Sequence, residues 1–368
     1  MITVLADDIT GAAEIAGICL RFGLNVTFDF AYKIESVPTA DVWIIAFDTR
    51  SLPENEACET VQKIVRFLKE QNIRCIYKKI DSALRGHILP EITVLLDTIP
   101  YKQTLVLPAN PEMGRIIRDG IYYINQIPLN ETAFANDPDF PAKSASVKEI
   151  LNTAMTVNYI PDCIQKEDFR QYAQSIDPET LPVGGAAFFE VYLQICFPAT
   201  TLSTPCANTI TNGAAVLMIC GSTYETSKRF IRNTQVFDVV EIPQNLVIQL
   251  LNPAILNSWM HDIKDIYERR KRLIITMKEE QPFASPENVK RLLAEILRKF
   301  LETYPVEEIF IEGGATAYAC LEACNISSLI PFEEYARGVV RLKIPDRENI
   351  FITIKPGSYE WPEKLLKS

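Results

Sequence analysis

Along the first 110 residues the apolar pattern switches repeatedly between two periods. Short runs rich in β-formers at 1–5, 24–30, 42–47, 74–79 and 104–107 predict strands. Residues 13–20 predict a helix, and Ala57, Val61, Ile64, Val65 and Leu68 recur at helical spacing with charges on the opposite face. Alternating strands and helices predict a parallel, buried sheet covered by helices. Residues 108–145 break the rhythm: they are rich in Pro, Asn, Asp and Tyr and lack a clear period, which predicts a long functional loop, ordered by its aromatics. The pattern restarts after a polar run at 198–213, which sets a boundary between domains at 1–206 and 207–368. Strands are predicted at 214–220, 272–277 and 308–311, with a final pair at 339–344 and 350–354 turning at 345–347. Ser285 and Pro286 fit the cap and first residue of an amphipathic helix carrying Val289, Leu292, Leu293, Ile296, Leu297 and Phe300. No internal sequence repeat is visible.

Length supports two domains, since 368 residues exceed the roughly 250–300 at which single cores split. With 48% apolar and 23% charged residues the chain reads as globular. A net charge of −10 argues against a nucleic-acid surface. No apolar run reaches the roughly 20 residues of a membrane span. The N-terminus has no basic leader pattern, so the expected address is cytoplasmic. The nine cysteines read as reduced, buried small hydrophobes, Cys75 and Cys220 among them. Cys320 and Cys324 lack the partners of a zinc site. With two histidines, any catalysis must run on carboxylates, Lys, Arg and backbone amides.

Chemistry-bearing residues gather where predicted strands end. Asp7 and Asp8 follow the first strand, Arg50 lies just past the strand at 42–47, and Lys79, Ile80, Asp81, Ser82 and Arg85 close the run at 74–79. The segment 108–111 follows the strand at 104–107. In a parallel sheet these ends share one edge, where ligands bind. Arg grips a carboxylate with paired hydrogen bonds, and Asp accepts bonds from hydroxyls or takes their proton. The set suits a small polyhydroxy acid, with Arg115 and Asn136-Asp137-Pro138 as weaker extensions. In the second half Gly221-Ser222, Gly313-Gly314-Ala315-Thr316 and Lys355-Pro356-Gly357-Ser358 also follow strands. Glycines and helix N-termini there make phosphate binding plausible. No Walker A and no Gly-x-Gly-x-x-Gly sequence is present, which disfavours a dinucleotide-dependent oxidoreductase.

These motifs, in this order and spacing, resemble the four-carbon acid sugar kinases. The resemblance implies two α/β domains with mainly parallel sheets and an interdomain cleft. The N-terminal domain would hold a sugar acid such as threonate or erythronate, and the C-terminal domain ATP with Mg²⁺. Phosphoryl transfer would go to the hydroxyl at carbon four. By position, Asp8, Arg50, Lys79, Ile80, Asp81 and Ser82 would bind the acid, with Asp8, Asp81 and Arg85 catalytic. Ser222, Gly313, Gly314, Ala315, Thr316, Ala317 and Gly357 would bind ATP. No resident metal site is implied. The expected partners are the small acid alone, with no nucleic acid and no membrane, and a homodimer is allowed. The chain departs from the family pattern at Ala83, Tyr224, Lys228-Arg229, Ala315, Arg337-Gly338 and 356–359. Those departures keep a second reading open, a catalytically impaired sugar-acid sensor of the same fold.

Overall fold

The computed structural model describes residues 1–137, 139–151, 158–198, 213–222, 224–278, 285–345, 347, 349–357, 359–362 and 365. Cys206, Pro138, Asp346, Ser358 and most of the polar run at 198–213 lie outside the described residues. The chain forms two compact units, Met1–Ser203 and Thr204–Ser368.

In the first unit β1 (Ile2–Ala6), α1 (Ile9–Arg21), β2 (Val26–Phe30), β3 (Val42–Ala46), α2 (Glu54–Glu70), β4 (Ile76–Lys79), α3 (Ile88–Thr98) and β5 (Gln103–Leu107) follow in turn. Then come β6 (Arg115–Arg118), β7 (Ile121–Ile124), β8 (Ile127–Pro128), α4 (Val147–Ile150), β9 (Asn158–Tyr159), α5 (Asp168–Gln174), β10 (Thr180–Gly184) and α6 (Ala186–Cys196). The main sheet is parallel, ordered β2-β3-β1-β4-β10-β5-β9. Every residue of β1, β3 and β4 is buried, as strands covered on both faces require. Adjacent lysines of β4 go to separate environments: Lys78 makes an ion pair of 2.6 Å with Glu91 of α3, both almost fully buried. Lys79 turns toward the strand ends.

Three expectations change here. α1 starts at Ile9, four residues earlier than the apolar pattern implied, because Asp8 caps it by accepting from Gly11 N at 3.0 Å. The segment 108–145 is not one long loop. It holds an antiparallel sheet, β6-β7-β8, whose first turn is Asp119-Gly120 with both residues left-handed. The ends of β4 and β5 share one edge as expected, with β10 inserted between them. Cys75 is exposed rather than buried, at the entry to β4.

The second unit contains β11 (Val216–Cys220), α7 (Glu225–Asn233), β12 (Asp238–Ile242), α8 (Gln244–Ile248), α9 (Pro253–Asp262), α10 (Lys264–Arg270) and β13 (Arg272–Met277). It continues with α11 (Pro286–Thr303), β14 (Glu308–Glu312), α12 (Gly314–Ala323), β15 (Ser328–Ala336), β16 (Val339–Lys343) and β17 (Phe351–Lys355). Its order is β12-β13-β11-β14-β17-β16-β15, parallel through β17 and antiparallel beyond. The expected final pair is thus a three-stranded meander, with β15 as the strand the sequence reading missed. Ser285 caps α11 as expected, and Pro286 is its first residue.

The two units share a strand plan that the sequence does not show as a repeat. In each, the first strand is central, the second lies at the far edge, the third fits between them, and the fourth crosses to the other side. That reversal of strand order beside β1 and β11 is where open α/β sheets bind ligands.

Candidate functional site

The acid pair after β1 is neither a simple cap nor an unmatched charge. Arg50, in a 3-10 turn after β3, takes both carboxylates: its Nε and Nη2 donate to Asp7 at 2.8 and 2.9 Å, and Nη2 donates to Asp8 at 2.7 Å. Its Nη1 lies 3.5 Å from Asp81. Three buried carboxylates therefore converge on one guanidinium. Burial alone would raise the Asp7 carboxyl, but Arg50, with Lys78 and Lys79 behind it, holds it below the ordinary carboxylate range. Burial likewise works against the charge on Arg50, and the three aspartates outweigh it. The next turn needs a glycine: Gly86 has φ +101°, and a Cβ there would lie 3.3 Å from both Arg50 Cγ and Asp7 Oδ2.

Asp81 closes the other side. Its Oδ2 accepts from Ala83 N, Arg85 N and Arg85 Nε at 3.0, 3.3 and 3.0 Å, and its Oδ1 accepts from Arg85 Nη2 at 3.1 Å. Against the upward pull of burial, Arg50 and Arg85 hold its carboxyl well below the usual range. A carboxylate so filled is a poor proton acceptor. Asp8 differs. Its Oδ1 accepts from Gly11 N and Arg50, while among the described residues its Oδ2 accepts only from the Thr10 hydroxyl. A carboxylate has two lone pairs on each oxygen, so Oδ2 has one acceptor direction left.

Lys79 stands across from Asp8. Both Asp8 Oδ1 and Lys79 Nζ lie within 2.7 Å of where a Gly11 Cβ would sit, so this glycine makes room for both. The Lys79 ammonium is buried and donates to Ile80 O at 3.0 Å. Among the described residues it has no carboxylate partner. Ile80 itself is sealed: its side chain is fully buried and its N–H donates to Gly184 O at 3.0 Å.

Ser82 marks the far end. Its hydroxyl accepts from Arg115 of β6 and its carbonyl from the buried Tyr122 hydroxyl of β7. Arg85 also reaches Asp137 at 3.4 Å, and the guanidinium carbons of Arg85 and Arg115 stand 5.5 and 5.7 Å from the Phe134 ring centroid. Tyr122 and Phe134 were not expected here. The Asp-Gly turn signal within Arg-Asp-Gly-Ile, which builds the β6–β7 hairpin, was the sequence clue available.

In the second unit the three glycine segments end β11, β14 and β17, which are neighbours. Gly313 precedes α12, whose first-turn amides at Gly314, Ala315 and Thr316 lack intrahelical acceptors, as at any helix start. Ala317 is buried and its N–H is spent on Gly313 O. Ser222 Oγ accepts from Tyr224 N at 3.3 Å, and the exposed Tyr224 ring lies 3.2 Å from a Cβ built at Gly357. Tyr224 thus occupies the space that Gly357 leaves open. Beneath these loops Glu312 accepts from Ser227 and from Trp361 Nε1 and pairs with Lys355 at 3.4 Å. Burial pulls the Lys355 ammonium below its ordinary value, against the support of Glu312. Glu312 directly precedes Gly313, a signal the sequence offered; Trp361 gave none.

The fold and the two sets of strand-end residues define a two-unit α/β protein with one cluster rich in paired charges and one set of glycine segments at neighbouring strand ends. Residues 2–177 match the model of a sugar-binding N-terminal domain, and residues 217–359 that of a nucleotide-binding C-terminal domain. The chain belongs to the four-carbon acid sugar kinase family. It is 32% identical to a 3-oxo-tetronate kinase of Haemophilus influenzae over 162 residues, 41% of this chain and 38% of that one. It is 30% identical to a D-threonate kinase of Salmonella typhimurium over 149 residues, 40% of this chain and 35% of that one. The chain thus spans well under half the length of the curated relatives it matches. A crystal structure of a Haemophilus influenzae protein shares the fold across 99% of this chain and 98% of that one, with a TM-score of 0.71 at 18% identity. No described helix is long and apolar enough to cross a membrane.

Proposed function

We propose that the protein transfers the γ-phosphoryl group of ATP to the carbon-four hydroxyl of a small sugar acid of the threonate or erythronate type. The observation that carries this reading is the strand-end cluster of Asp8, Arg50, Lys79 and Asp81 in the unit that matches a sugar-binding domain. Asp8 keeps an open acceptor direction on Oδ2, so it orients the reacting hydroxyl and takes its proton. Asp81 is saturated, so its role is to fix Arg85 and the turn. Lys79 brings an ammonium with unspent donors to the same point and offsets charge on the arriving phosphoryl group. Arg50 locks the three aspartates together. Phosphoryl transfer depends mainly on such positioning and charge balance, which suits a site without histidine.

On the nucleotide side Ser222 and Gly313 to Thr316 fit a phosphate chain, since the first-turn amides of α12 lack intrahelical acceptors beside the end of β11, and Gly357 lies at the neighbouring strand end against the Tyr224 ring. Mg²⁺ arriving with the nucleotide would supply charge neutralisation. It would be held by phosphate and water, because Asp7, Asp81 and Glu312 already have protein partners and no group of three metal-ligating side chains exists among the described residues.

The test is ADP release by the purified protein with Mg-ATP and a panel of four- to six-carbon aldonic acids. Turnover confined to four-carbon acids supports the proposal. Acid-dependent thermal shifts with no turnover on any acid would sink it in favour of a sensor.

A further inference from the structure

Within the strand-end cluster, charge pairing among the described residues leaves the Arg115 guanidinium over. Asp7 and Asp8 face Arg50, Asp81 faces Arg50 and Arg85, and Asp137 faces Arg85. Arg115 is bound only by the Ser82 hydroxyl and the Phe134 ring, with no carboxylate paired to it among the described residues. Most of its N–H donors are unspent. Yet its backbone is firmly placed. Arg115 N donates to Asn110 O at 3.0 Å and its carbonyl accepts from Asn110 N at 2.8 Å, while its strand pairs in register with Ile124. The preceding Gly114 has φ +66°, and a Cβ there would lie 2.1 Å from Asn125 Oδ1, so a side chain at the entry to β6 would be strained and would have to displace Asn125. A cation held so rigidly without a counter-charge is pre-arranged for an anion from outside, at little ordering cost.

Lys79 is a second cation of the cluster without a carboxylate among the described residues, but it lies beside Asp8, where the hydroxyl reacts. Arg115 reaches the site from a different element, at Ser82. A sugar acid undergoing phosphorylation has two negative ends, the phosphoryl group and the carboxylate. A planar guanidinium suits the carboxylate, which it can hold with two parallel hydrogen bonds. We propose that Arg115 binds the carboxylate of the substrate and thereby makes the site selective for acids, with Phe134 steadying its guanidinium. This rests on the sugar-acid reading above. In the free protein the Ser82 hydroxyl keeps one donor occupied until the carboxylate takes it.

The experiment compares wild type, Arg115→Met and Arg115→Lys with the preferred four-carbon acid and with its uncharged primary amide. KM and kcat are read by ADP release, and Kd by calorimetry. Arg115→Met is expected to weaken acid binding about tenfold to a hundredfold, the range of hydrogen bonds to charged groups, and to move KM far more than kcat. Amide binding should stay within about threefold of wild type, which also shows that the variant is folded. Arg115→Lys should recover part of the loss, since it restores charge but not the paired geometry. An unchanged acid-to-amide preference in Arg115→Met, or an equal loss for both ligands, overturns this inference while the kinase reading stands. A wild-type protein that neither binds nor phosphorylates any acid overturns the kinase reading, and this inference with it.

Discussion

Replacing Arg50 by Met probes the charge centre on which the first site depends. The variant leaves Asp7, Asp8 and Asp81 buried, at 2%, 8% and 8% exposure, without the guanidinium they share. It deletes donors at 2.8 and 2.9 Å to Asp7 and at 2.7 Å to Asp8, and a charge 3.5 Å from Asp81. Removing one partner from a buried pair costs about 3–5 kcal/mol. Arg50 retains 17% side-chain exposure, and Asp81 keeps Arg85, so the lower end, about 3 kcal/mol, is expected. Urea unfolding followed by far-UV circular dichroism should show the first unit's midpoint falling by about 1 M or more. The loss should also shrink on acidification. In wild type, Asp7 and Asp81 have lowered folded-state pKa values, so their contribution is present above the unfolded carboxylate range and fades as pH falls. In the variant Asp7 keeps its burial without Arg50, so protonation at falling pH relieves it. A loss under about 1 kcal/mol at pH 7, the value of a surface pair, or a loss constant from pH 7 to 4, would refute the argument.

Gly86→Ala should destabilise by about 1–3 kcal/mol and weaken acid binding, because φ is +101° and the new Cβ would press on Arg50 and Asp7; chemical unfolding and calorimetry check both effects, and a neutral variant contradicts the assignment. Asp81→Asn should lose stability relative to wild type at neutral pH, with the gap closing as pH falls through the ordinary carboxylate range toward the lowered folded-state value; pH-resolved melting reads this, and a gap that widens in acid would overturn it. Among the cysteines of the described residues a thiol reagent should modify exposed Cys75 and Cys196 first and spare Cys19, which is fully buried and whose thiol burial pushes upward; mass mapping of labelled peptides decides, and early labelling of Cys19 would contradict the packing.

Much of this was legible in the residues. Strands at 2–6 and 42–46 are all-apolar or nearly so because they are covered on both faces, and such runs are the strongest local signal a parallel sheet gives; 76–79 is just as buried but ends in Lys78 and Lys79. The positions of Asp8, Arg50, Lys79 and Asp81 follow from knowing only where those strands end. What the pattern did not carry was non-local. The insertion of β10 between β4 and β5 is decided by pairing across some 75 residues, and nothing in Thr180–Gly184 announces its neighbours. The difference between Asp8 and Asp81 was also hidden. Both are aspartates at strand ends, and only the count of donors around each separates an acceptor with room from one that is filled. Sequence spacing could place Arg115 near the site but could not show that its charge goes unpaired.

The most direct test of the account is phosphorus NMR of the purified protein with Mg-ATP and a four-carbon sugar acid. The account predicts a new phosphomonoester resonance that grows in step with ADP, couples to the carbon-four protons of the acid, and does not form when the acid is left out. ADP accumulating without any phosphomonoester, or an acid that binds and stays unphosphorylated, would contradict it.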